Sequence, residues 1–499
     1  MKAFLAILKK RLFFTSNLIL ARRAKFTHFL ISLLIFGAYL IGISILSYVK
    51  ATPWQSTPAF WIGIVRFPLV IKFISGLTII AGTVLIYFVP GVFIYKYFAS
   101  KHANMTEVFF KGFLINYLFY FFASFIYKLF FPFEITRQTM LIFICALIIL
   151  LQVAASFYKD NSKIDLSSFH MDFRFLLFYV IFLFSIFYFC RKPILFNLFS
   201  GDGVEQYWSA FSAKIYLLPT AFRESFTLIP QFSFSPSVYL NMFALLLFGS
   251  SEFVLRIEVL FAFIALGLIL KNLIMELSCI KNFSLSEYLI FFLYLAVYFI
   301  LIAYRADNET PSDLSSIHEP LQLMLLISGF YLLVGRKKQD ILAAIFFVLA
   351  GMIRYSGLLM ISIFIIIFSI LFKRYKCILF YFLGLSIVFT LLIIIVIAVN
   401  FSSDIHYVFR NVWEEYGRRN TTFAPGLRYT LEYLKNYFIF TSGLSLFFIG
   451  FKNKYILLMF LTTVLYLIVP LKSICIPADY YVPLFMFPLL CYYLWKKNT

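Results

Sequence analysis

The sequence predicts an all-α, polytopic transmembrane bundle of about fourteen spans. Three observations carry that prediction. Hydrophobic residues make up 63% of the 499 residues and charged residues only 13%, against about 25% charged in a soluble domain. The apolar residues come in continuous runs of roughly 20, the length a helix needs to cross the hydrocarbon core. These runs do not alternate with polar residues, as the strands of a membrane barrel would.

The runs fall near 27–49, 73–95, 108–131, 139–158, 175–190, 252–276, 286–304, 317–335, 339–354, 357–372, 377–399, 437–451, 455–470 and 481–495. Lys2, Lys9, Lys10, Arg11, Arg22, Arg23 and Lys25 precede the first run. The positive-inside rule therefore puts the N-terminus in the cytoplasm. An even number of crossings returns the C-terminus to the same side, as expected for a multi-pass protein of the inner (cytoplasmic) membrane. The first run is too long for a signal-peptide core and lacks a small-residue cleavage site, so it reads as a retained anchor.

The net charge of +21 would suggest nucleic acid in a soluble protein. Here the basic residues mostly flank the apolar runs, which assigns them to topology and lipid head groups and leaves no nucleic-acid partner. The six cysteines are scattered, without metal-type spacing. Cys190 and Cys475 are expected near the outer face, with nothing in the sequence to pair them.

The expected organisation is an N-terminal helical module over 1–174, a transmembrane core over 175–399 with a long outer loop at 191–251, and a C-terminal part over 400–499. The last begins with a second outer loop at 400–436. Within the first loop an amphipathic helix around 204–217 is expected to lie on the membrane surface. Val204, Tyr207, Trp208, Phe211 and Ile215 form its apolar side. Acidic residues lie mostly in the outward segments. The topology rule does not require this, because carboxylates contribute little to it. The outer face is therefore the expected working face.

Four clusters there could carry chemistry. In "FSGDGVEQYWSAFSAKIY", 199–216, Asp202 and Glu205 are three apart and can share a helix face. N-capping accounts for one carboxylate, Asp202, but not for both. Lys214 and Tyr207 on the same segment are substrate-binding candidates. In "RADNETPSDLSSIHEPLQL", 305–323, Asp313, His318 and Glu319 precede or open an apolar run. A carboxylate followed by Pro320 suits a helix start, yet charged groups at a bilayer edge are usually functional or paired. His318 and Glu319 are adjacent, which is poor spacing for chelation, so a metal would need Asp202 as well. In "GMIRYSGLL", 351–359, Arg354 interrupts a long apolar stretch. It is expected at an outer turn broken by Ser356 and Gly357, where its guanidinium suits a phosphate. The fourth cluster, "HYVFRNVWEEYGRRNTTFAPGLRY", 406–429, mixes Arg with Trp and Tyr. It fits an interfacial belt as well as a sugar site.

The order of these motifs resembles that of the GT-C superfamily of membrane glycosyltransferases, in its protein mannosyltransferase and aminoarabinose transferase branches. An outer acidic motif follows a span. Next comes "SPSVYLNMFALLLFGSSEFVLRIEVLFAFIALGLIL", 235–270, similar to a P-x-x-Y…LFG…E-x-x-x-R segment through Pro236, Tyr239, Phe248, Gly249, Glu252 and Arg256. The later "IHEPLQLMLLISGFYLLVGRKKQDILAAIFFVLAGMIRYSGLLM" resembles the family's acidic residue opening a span, its basic turn and its GLA-x-x-(K/R)-x-x-G. "ADYYVPLFMFPLLCYYL" resembles the closing RYLLPxxP helix, with Asp479 and Tyr480 where Arg often stands. The resemblance covers roughly 175–495.

It implies a GT-C-like core and transfer of a sugar from a polyprenyl-phosphate donor to a lipid, glycan or protein acceptor on the outer face. Asp202 would be the catalytic base, with Glu205 beside it. Glu319, or else Asp313, would be the second acid. Arg354 and Arg256 would clamp the phosphate. A divalent cation, Mg or Mn, is allowed but not required, with Asp202 and Glu319 as its ligands. Two other classes remain open. One is a transporter or lipid or glycan flippase, although such proteins place charges near the midplane. The other is a glycan polymerase or ligase, which also has an Arg-rich outer loop.

Overall fold

The computed structural model describes residues 252–280, 283–303, 318–335, 339–353, 355–399, 453–467 and 486–498, together with scattered positions between Gly91 and Leu246. Among these residues the regular structure is helical and no strand occurs, in agreement with the all-α prediction. By backbone contacts the chain forms two compact units. One comprises Met1–Ala123, Glu134–His170 and Phe243–Ser251; the other comprises Ser124–Phe133, Met171–Met242 and Glu252–Thr499. In the first unit the Gly91 N–H donates to Asn116 Oδ1 at 2.6 Å, a buried contact.

Eight helices have bounds among the described residues of the second unit. They are α1 (Glu252–Ser278), α2 (Leu285–Ala303), α3 (His318–Val334), α4 (Asp340–Ile353), α5 (Tyr355–Phe372), α6 (Tyr375–Val399), α7 (Lys454–Leu467) and α8 (Met486–Asn498). Each coincides closely with an apolar run. Counting only residues whose side chains are described, no helix is long and apolar enough to cross a membrane. By backbone, α2 has 19 residues, α5 has 18 and α6 has 25. At 1.5 Å per residue that is roughly 27 to 37 Å.

Local chemistry sets the helix ends. Ser284 and Glu287 form a capping box at the start of α2: the Ser284 N–H donates to Glu287 Oε2 at 2.5 Å, and the Glu287 N–H to Ser284 Oγ at 3.4 Å. Phe283 and Tyr288 pack across it with ring centroids 5.4 Å apart, the hydrophobic staple that goes with such a box. At the end of α5, Lys373 takes φ 55° and the Arg374 N–H reaches back to the Ser369 carbonyl at 3.1 Å. This is a left-handed C-terminal cap built on a lysine where glycine is usual. Cys279 takes the same φ just past α1.

Packing follows a closed order. α1 packs on α3, α3 on α4, α4 on α5, α5 on α7, α7 on α8, and α8 returns to α1. α6 sits outside this ring against α4 and α5. Phe364 of α5, fully buried, is the hub. Its ring lies within 6.4 Å, centroid to centroid, of Phe330 on α3, Phe347 on α4, Phe368 on α5 and Phe487 on α8. The hub is tight: a Cβ on Gly329 would fall 2.8 Å from the Phe347 ring. Side-chain hydroxyls inside the helices donate to the carbonyl one turn back, as in Ser328 to Met324, Ser362 to Leu358 and Thr462 to Leu458. That pairing lets polar residues sit in an apolar helix without an unmet hydrogen bond.

One expectation is corrected. Ser356 and Gly357 do not break the chain; both lie inside α5, which begins at Tyr355 after α4 ends at Ile353. The reason is steric. Gly351 has no side chain, and a Cβ there would fall 2.5 Å from Leu358 Cδ1, so α4 and α5 close on each other immediately beyond the turn. Asn241, Met242 and Leu246, within the segment 191–251, are helical, and the first two are buried.

Candidate functional site

The two ends of the α3–α4–α5–α6 group differ in chemistry. At one end α3 finishes, α4 starts, α5 finishes and α6 starts. There Arg374 donates to the Leu333 carbonyl and forms an ion pair with Asp340. Its guanidinium lies 5.6 Å from the Phe368 ring centroid. The Leu333 carbonyl at the end of α3 and the carboxylate at the start of α4 are thus met by one side chain, while the Gly335 and Gln339 N–H groups meet the Tyr331 and Leu332 carbonyls.

A second tie of this kind holds the C-terminal helix. The Tyr493 hydroxyl donates to the Glu287 carbonyl at 2.7 Å, and Lys496 Nζ pairs with Glu287 Oε1 at 2.9 Å. The hydrogen bond to Glu287 holds the Lys496 ammonium pKa above its usual value. Lys496 is partly exposed, so the pair contributes modestly.

At the opposite end of the α3–α4 pair, α3 starts and α4 finishes. Gln322, buried one turn into α3, donates from Nε2 to the Ala350 carbonyl in the last turn of α4 at 3.0 Å. The two helices are antiparallel, so this bond joins the opening of α3 to the residues just before position 354. His318 and Glu319 are the first two residues of α3, and Pro320 is the third. Glu319 precedes Gln322 by three residues and His318 by four, the spacing of one helix face. Proline in the first turn and a carboxylate beside it suit a helix N-terminus. The backbone therefore gathers the start of α3 and the α4–α5 turn at one end.

Arg256 lies in the second turn of α1, the helix packed against α3. For Arg256, His318 and Glu319 the backbone placement is what the structure gives. Asp202, Glu205, Asp313, Arg354, Lys214 and Tyr207 lie outside the described residues, as do residues 204–217 and the loop 400–436. Among the described residues no group of three His, Cys, Asp or Glu gathers as a metal site would require.

Gln322 was not singled out from the sequence. Its signal was available: an amide in the middle of "EPLQLMLLISGF" has to find a partner if the helix is buried. The Arg374–Asp340 and Glu287–Lys496 pairs were equally unforeseen, because each joins residues 34 and 209 positions apart.

No family model matches this chain, and neither a curated protein nor a solved structure matches it.

Proposed function

We propose that this chain is a membrane-embedded glycosyltransferase of GT-C type. It moves a sugar from a polyprenyl phosphate to a lipid, glycan or protein acceptor on the outer face. The observation that carries the reading is the buried Gln322–Ala350 hydrogen bond. It draws the Glu319 end of α3 to the helix end preceding Arg354, the segments that carry the second acid implied by the resemblance and the arginine proposed to clamp the phosphate. Large apolar side chains exposed on α2, α5 and α6, among them Leu293, Ile370 and Leu379, support embedding in lipid, since a soluble monomer rarely exposes such contiguous apolar surface.

In this reaction Asp202 takes the proton from the acceptor hydroxyl. The oxygen attacks the anomeric carbon, and the bond from that carbon to the phosphate oxygen breaks. Polyprenyl phosphate leaves with the bonding electrons, and the single displacement inverts the anomeric centre. Glu319 orients the acceptor. Arg354, with Arg256, stabilises the charge growing on the leaving phosphate, usually the largest contribution in such a step. A general base contributes about 10²- to 10⁴-fold.

The test is transfer from a polyprenyl-phosphate sugar in proteoliposomes. The expected result is donor-dependent transfer that Asp202→Ala and Glu319→Gln each lower by about 10²-fold or more. Full transfer by both variants, or activity that needs only a transmembrane gradient, overturns the proposal.

A further inference from the structure

The α5–α6 turn carries a cluster of cations that the packing leaves unused. Lys373, Lys376 and Lys454 are exposed, and no ion pair reaches any of them among the described residues. Asp340, the carboxylate at this end of α4, is held by Arg374. The three lysines share one end of the fold: Phe372, next to Lys373, packs at a tilt against Tyr455, next to Lys454, with ring centroids 4.7 Å apart. The backbone cap at Lys373 fixes where the first of them leaves the helix.

An apolar surface runs away from these cations along α6. Tyr375, Leu379, Leu383, Ile387 and Leu391 follow one another every four residues, the ridge that side chains form on a helix. Their exposures lie between 46% and 64%. The sixteen helical rises from Tyr375 to Leu391 make this ridge about 24 Å long, close to the depth of one acyl chain plus its glycerol region. α6 lies outside the helix ring, with its inner side on α4 and α5, so the ridge faces away from the protein core.

We infer that this surface binds an anionic phospholipid. The phosphate and acidic headgroup sit among Lys373, Lys376 and Lys454, and an acyl chain lies along the α6 ridge. Charge complementarity fixes the headgroup's sign, and continuity of the cations with a chain-length apolar ridge favours a lipid over a soluble anion. Tyr375, between the two, suits the headgroup boundary. The inference rests on the membrane reading above, but not on glycosyl transfer. The lysines lie at the opposite end of the α3–α4 pair from Gln322, so the lipid is distinct from the proposed sugar donor.

The experiment uses the full-length chain in nanodiscs and native mass spectrometry. Phosphatidylglycerol and phosphatidylcholine with identical acyl chains compete for retention. Each lysine near a headgroup favours the anionic lipid by about fivefold, so the wild type should retain phosphatidylglycerol at least tenfold better. The K373Q/K376Q/K454Q variant should lose that preference, and the triple arginine variant should keep it. On the unmodified protein, raising salt from low to high should weaken the preference, since exposed charges are screened.

Equal retention of the two lipids by wild type overturns the inference. So does a preference that survives in the glutamine variant. Both results leave the membrane reading standing. A chain that stays dispersed without detergent and retains no lipid overturns the inference and the membrane reading together.

Discussion

The two ends of the α3–α4 pair use polar groups in opposite ways. Where α3 finishes, Arg374 answers the Leu333 carbonyl and the Asp340 carboxylate, so charge there closes the structure on itself. Where α3 starts, a neutral amide, Gln322, makes the interhelical link, and the ionisable residues His318 and Glu319 sit just beyond it. The difference is that one end is fastened by an ion pair and the other by an uncharged hydrogen bond. An amide can fasten two helices without neutralising a neighbouring carboxylate. A guanidinium in the same place would consume one.

The largest effect that would sharpen this comparison is on activity. Glu319→Gln should lower sugar transfer by about 10²-fold, the scale of misplacing a reactant, while the unfolding midpoint in detergent stays unchanged; a large fall in the midpoint would move Glu319 to the structural side. Next comes Arg374→Leu, expected to cost about 2–3 kcal/mol in chemical unfolding. That is below the value for a fully buried pair, because both groups keep some contact with solvent. Its retained transfer activity per folded molecule would confirm that the two ends work separately. Gln322→Leu should cost about 1 kcal/mol, the worth of one buried hydrogen bond, and should also lower transfer by loosening the opening of α3 from α4. If Gln322→Leu changed stability alone, the link would be structural only. The smallest effect is that of Lys496→Met. It should cost about 1 kcal/mol or less, since Lys496 is partly exposed and Glu287 keeps its Ser284 N–H.

Much of the helical layout was legible in the chain. A continuous apolar run of sufficient length has few ways to satisfy its backbone other than a helix, and α1 through α8 stand where such runs stand. The start of α2 was readable too, since "SLSE" after Phe283 is a capping box with a staple residue before it. The junction of α4 and α5 was legible only in part. The sequence pointed to Arg354 as the interruption, but the break was assigned to Ser356 and Gly357. Small residues favour turns only when the neighbouring helix does not need their space, and here Gly351 is used for close approach to Leu358.

Other features were not legible for a simple reason. α6 is the more apolar of the two helices α3 and α6, yet residues 321–330 of α3 are all buried, while α6 exposes a ridge along its length. Composition does not say which helix lies inside a ring. The partner of Gln322 is 28 residues away, and that of Glu287 is 209 residues away. No local rule links such positions.

The sequence by itself determined that this chain is helical, where α1 through α8 begin and end to within a few residues, and which of their residues carry charge. Those properties follow from the run length of apolar side chains and from capping chemistry, both local. Only the tertiary structure decided that Phe364 is the hub, that Arg374 and Asp340 cancel each other, and that no ion pair among the described residues reaches Lys373, Lys376 or Lys454. Such outcomes depend on which surfaces meet, and that is settled by packing the whole ring at once.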